Sequence, residues 1–123
     1  NPYNLKYQRW GPALVGAAGP LTNFGIAFVF AIILRSVPTL PDALATFLII
    51  IIQANVVLGV LNLLPIPPLD GSKVLFALFP STFGNLQYTL ERYGFLLLLA
   101  FLLFGQGVFL ALVTAVFRLF IGI

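Results

Sequence analysis

The chain has 123 residues, 61% of them hydrophobic and only 7% charged, with a net charge of +3, against roughly 25% charged and 45–50% apolar usage in soluble domains. A chain this short buries only about two-thirds of its surface on folding and in water would expose wide apolar patches, so a soluble globular domain is excluded and the lipid bilayer is the expected solvent. The small, dispersed positive charge suits an anionic membrane surface rather than nucleic acid, and the absence of Cys leaves no disulfide framework.

The sequence contains no Met and opens on Asn1-Pro2-Tyr3. It is read as a single transmembrane domain over residues 1–123, a piece of a longer core. Asn1 to Trp10, polar and aromatic with Lys6 and Arg9, lacks the apolar core and cleavage site of a signal peptide and reads as a juxtamembrane anchor. A first apolar stretch from about Gly11 to Leu34 is long enough to span about 30 Å of hydrocarbon at about 1.5 Å per residue. Within it Gly16, Pro20, Asn23 and Ala27 share one helix face, with Leu14, Phe24 and Phe28 elsewhere. Such a small or polar face is expected to meet another helix, because small residues let backbones approach closely in lipid. Asn23 reads as a structural hydrogen bonder in preference to a catalytic group.

A second span runs from about Ala43 to Leu64, opened by Pro41-Asp42 and stopped by Pro65, Pro67 and Pro68, which cannot continue a helix. It carries Asn55, Gly59 and Asn62 on one face, which is expected to pack against the face on the first span. Asn55 reads as interhelical glue; Asn62, beside the broken end, is open between structural and functional roles.

The run Asn62-Leu63-Leu64-Pro65-Ile66-Pro67-Pro68-Leu69-Asp70-Gly71 is the most informative feature. Prolines remove backbone donors and leave carbonyls of the preceding turn unpaired, which at membrane depth requires protein or a water-filled cavity to satisfy them. The turn is therefore expected to line a polar cavity. Asp70 has two readings that can both hold: the N-cap of a short helix starting at Gly71 or Ser72, or a functional carboxylate, the default for an ionisable group in such a segment.

Residues Ser72 to Phe79 predict a half-helix too short to span, followed by a loop through Pro80 and the polar stretch Ser81 to Arg92. The last apolar stretch, Tyr93 to Ile123, with Gly105-Gln106-Gly107 in its middle, is one tilted helix or a broken pair. The whole reads as an all-α polytopic transmembrane bundle of three to four apolar segments with a proline-broken helix end. Lys6, Arg9, Lys73 and Arg92 against Arg35 and Arg118 favour the first side as cytoplasmic.

At Gly19-Pro20-Leu21-Thr22-Asn23 and at Asn62 to Gly71 the chain resembles the site-2 protease family of intramembrane metalloproteases, in its compact bacterial branch. The first stretch matches the family's Gly-Pro-x-x-Asn; the second matches its asparagine, prolines and Leu-Asp-Gly. The resemblance covers roughly Trp10 to Pro80 and implies cleavage of transmembrane helices of substrate proteins, in a bacterial cytoplasmic membrane. It further implies one zinc held by two histidines of a His-Glu-x-x-His helix and by Asp70 as third ligand. A carboxylate suits that place, since a catalytic zinc takes three protein ligands and keeps one position open for water. By the same resemblance Asn62 stabilises the oxyanion near the scissile carbonyl, and Pro20 and Asn23 shape the adjoining helix packing; Gly19, Asn55, Pro65, Pro67 and Gly71 are read as further structural or substrate-positioning residues.

The sequence departs from the pattern in having no His at all. In the family the His-Glu-x-x-His helix lies N-terminal to the Gly-Pro-x-x-Asn segment, and truncation is the expected reason for its absence, so that the piece is inactive alone. The rival readings are a transporter or channel segment, since broken helices beside a carboxylate also build ion sites, and a non-catalytic membrane scaffold.

Overall fold

A computed structural model describes the backbone of residues 2–78 and 84–122 and the side chains of residues 10–78 and 84–122. The described residues form five helices and no strand: α1 Pro2–Ser36, α2 Asp42–Leu63, α3 Asp70–Leu78, α4 Gly84–Phe104 and α5 Gln106–Ile121. Three of them, Trp10–Ser36 within α1, α2 and α4, are long and apolar enough to cross a membrane. The all-α transmembrane bundle read from the sequence is the fold observed.

α1 takes in the segment read as an anchor and runs unbroken through Pro12 and Pro20. Pro20 has no N–H to give the carbonyl of Gly16, so the helical ladder opens by one bond there. α2 ends where Leu64 turns to φ −59°, ψ 135°, the extended conformation that a following proline imposes. Leu64 N–H donates to Leu61 O at 3.2 Å, and in the turn beyond it Leu69 N–H donates to Ile66 O at 2.8 Å. The Pro67-Pro68 peptide bond is cis.

The core lies where α1, α2 and α5 meet: Ala27 and Ala31 of α1, Ile52, Val56 and Val60 of α2, and Val113 of α5. The four-residue spacing puts two alanines of one helix against three β-branched side chains of another, letting the two helices approach closely. Phe24 joins this cluster, stacking on Phe120 of α5 at 6.2 Å between ring centroids and an angle of 19°, and its ring lies over Gly59. Phe24 therefore belongs to the packed face, contrary to its assignment away from it. The small face of α1 is divided: Ala27 faces the core with α2, while Gly16 and Gly19 face α3.

One further expectation changes, and one open alternative is decided. Residues 84–92, read as loop, are the first turns of α4, held by Thr89 Oγ1 donating to Asn85 O at 2.9 Å and Gln87 Nε2 to Glu91 Oε1 at 3.2 Å. Phe79, Pro80 and residues 81–83 lie outside the described residues. The last apolar stretch is a broken pair: α4 stops at Phe104 and α5 starts at Gln106, with Phe101 and Phe109 edge to face across the break at 6.4 Å. α5 ends on Gly122 in the left-handed conformation, φ 88°, and Arg35 Nη1 donates to Phe120 O at 3.4 Å, so the ends of α1 and α5 that carry Arg35 and Arg118 meet.

Candidate functional site around Asp70

The site is built by the way α3 folds back. Gly71 is buried, and a β-carbon there would collide with the carbonyl oxygens of Leu63 and Leu64. The carbonyls at the proline-broken end of α2 are thus covered by the backbone of α3. The groove that borders this end, of about 780 Å³ between α1, α2 and α5, is lined by apolar side chains including Phe28, Leu63, Leu64 and Pro65, with Arg35 as its one charged member.

α3 begins at Asp70 itself. The carboxylate therefore stands in the first turn, one position later than the N-cap reading placed it, where the helix dipole favours a negative charge. Ser72 N–H and Ser72 Oγ both donate to Leu69 O, at 3.2 and 2.7 Å, and close the turn ahead of it. Asp70 is half-buried, and its Oδ1 is 3.8 Å from Lys73 Nζ.

The other side of the carboxylate faces α1. A β-carbon on Gly19 would stand 3.1 Å from Asp70 Oδ2; one on Gly16 would stand 2.8 Å from Asp70 O and 3.1 Å from Lys73 Cβ. Residues 16 and 19 of α1 thus form a notch that receives residues 70 and 73 of α3, and glycine is what opens it. Pro20, next to Gly19, is fully buried.

The structure brings Gly19 and Gly71 to Asp70, and sets Asn62 half-buried in the last turn of α2, directly before the turn that Gly71 closes. Pro67 is buried, with Gly94 of α4 packed on its carbonyl, and Pro65 is exposed at the groove. Asn23 is half-buried one helical turn beyond Gly19. Asn55 Nδ2 donates to Ile51 O of its own helix at 2.9 Å. Gly16, Lys73 and Gly94 were not singled out as site residues from the sequence. Gly16 was legible as part of a small-residue stripe, and Lys73 only as the i+3 neighbour of Asp70.

A metal fits Asp70 as one donor of a larger set. The carboxylate is accessible, and the missing side chain of Gly19 leaves space at Oδ2 that a β-carbon would fill. Among the described residues no three His, Cys, Asp or Glu side chains come together, so they form no complete three-ligand site by themselves.

The comparisons with known proteins agree on a family. A family model described as Peptidase family M50 matches residues 38–105, more than half of the chain and including Asn62 to Gly71. The chain is 35% identical over 103 residues to "Putative zinc metalloprotease YwhC" of Bacillus subtilis, covering 77% of this chain and 47% of that protein. It is 44% identical over 62 residues to "Putative zinc metalloprotease MJ0611" of Methanocaldococcus jannaschii, covering 50% of this chain and 31% of that protein. No solved structure matches. The chain belongs to peptidase family M50, the site-2 protease family, and is a multi-pass membrane protein. It spans about half the length of YwhC and a third of MJ0611.

Proposed function

We propose that this chain is the aspartate-bearing part of an intramembrane zinc metalloprotease that hydrolyses peptide bonds in or near transmembrane helices of substrate proteins. The observation that carries the reading is the placement of Asp70. It is a half-buried carboxylate in the first turn of α3, with one oxygen beside a glycine notch of α1, in a chain whose family model spans that segment. Both relatives named above are described as zinc metalloproteases.

In this reading Asp70 is one zinc ligand, and the two further ligands come from outside these 123 residues, which contain no His. The zinc, when bound, supplies Lewis acidity and a water acidified toward a pKa of about 7. The carboxylate offsets part of the metal's charge in a medium where uncompensated charge is costly. Asn62, a half-buried amide on the last turn of α2, would donate a hydrogen bond to the developing oxyanion. Gly71 and the buried Pro67 hold the turn between Asn62 and Asp70; Gly19, Pro20 and Asn23 hold the face of α1 against it.

The test is cleavage of a transmembrane reporter substrate by the intact protein and its Asp70→Ala variant, with membrane insertion measured beside it. The expected outcome is loss of cleavage with insertion retained. Unchanged cleavage by Asp70→Ala would remove the carboxylate from the chemistry and return the transporter or scaffold reading to the front.

A further inference from the structure

The Asp70–Lys73 pair has the geometry of a temporary partnership. Its 3.8 Å separation exceeds the roughly 2.7–2.9 Å of a charge-assisted hydrogen bond, so Lys73 neutralises the carboxylate without gripping it. Both side chains are partly open, 44% exposed for Lys73 and 33% for Asp70, and exposed pairs of this kind are weak. The long stem of Lys73 lies along Gly16, where a β-carbon would stand 3.1 and 3.2 Å from Lys73 Cβ and Cδ. A glycine there lets the aliphatic stem lie flat on α1 while the ammonium reaches open space.

The ion pair runs from Lys73 Nζ to Oδ1, while Oδ2 faces the Gly19 notch. A carboxylate near the membrane needs a compensating charge, and one divalent ion at Asp70 would both satisfy that need and repel the ammonium.

We propose that Lys73 is a displaceable counter-ion: it compensates Asp70 while the site is metal-free and is released toward solvent along the Gly16 surface when a metal takes the carboxylate. Lys73 and the metal then compete for one partner, and the stronger the pair, the weaker the metal affinity. This rests on Asp70 being a zinc ligand, and it makes Lys73 a residue that acts through Asp70, touching neither zinc nor substrate. Linkage fixes the signs: removing the ammonium favours the metal-bound state and disfavours the metal-free one, and a tighter cation does the opposite. Arginine, with a planar fork that pairs both carboxylate oxygens, is the tighter cation.

The experiment measures zinc affinity, by competition with a chromophoric chelator, for the intact protein in detergent and its K73M, K73R and D70A variants, together with thermal melting of the metal-free forms. K73M is expected to bind zinc about three- to tenfold more tightly than the parent and to melt lower without metal; K73R is expected to bind zinc more weakly. Weaker zinc binding by K73M, rescued by K73R, would overturn the proposal and make Lys73 a clamp. Equal affinity in the parent, K73M and K73R would overturn it as well. D70A separates the layers: if it keeps full zinc affinity the ligand reading itself fails, whereas if it loses zinc while K73M is unchanged only the counter-ion proposal fails.

Discussion

The N-terminal three helices and the C-terminal two meet the bilayer in different ways. α1, α2 and α3 are locked by backbone approach: Gly16 and Gly19 on Asp70 and Lys73, Gly59 under Phe24, and Gly71 on the carbonyls of Leu63 and Leu64. α4 buries only Gly94, packed on Pro67, while Leu103 and Phe104 are 67% and 88% exposed. α5 reaches the core through Val113. Apolar association is weak when the solvent is itself apolar, so close packing has to come from small residues and shape. Gly16, Gly19 and Gly71 stand around Asp70 and its turn, whereas the end of α4 leaves a leucine-rich surface exposed.

The contrast is open to breakage. Ile52→Ala, which empties a fully buried position between α1 and α2, is expected to cost about 2–5 kcal/mol, read as a lower melting temperature in detergent. For Asn62→Ala a loss of about 10²–10³ in kcat with zinc retained is expected; loss of zinc instead would make Asn62 part of the metal site. Gly71→Ala forces a methyl against the Leu63 carbonyl and should cost about 1–3 kcal/mol, with proteolysis falling more than melting because α3 carries Asp70. The smallest effect belongs to the other half: Leu103→Ala should stay within about 0.5 kcal/mol of the parent. A Leu103 effect as large as that of Ile52 would mean that α4 is packed against protein on its outer face.

Much of this was legible because prolines and glycines punctuate the chain strongly. The stop at Pro65 and the short helix beginning near Asp70 follow from missing donors and turn chemistry, which are local facts, whereas Gly105-Gln106-Gly107 leaves one tilted helix and a broken pair both open. Residues 84–92 were misread because polarity was taken for loop, although Gln87 and Glu91 are spaced to bond along a helix. The partner of the Gly16–Gly19 face was not legible, since a small-residue stripe says that something approaches without saying what. Here α3 takes that place and not α2. The apolar groove at Pro65 was missed for a related reason: carbonyls freed by proline can be covered by another helix's backbone as well as by water.

The central claim is that Asp70 holds the metal. The direct measurement is zinc content by elemental analysis of the intact protein and its Asp70→Asn variant, purified alike in detergent, with folding verified by melting. The account predicts one zinc per parent molecule and a clear loss in the variant. Equal zinc in both, or none in the parent, would contradict it.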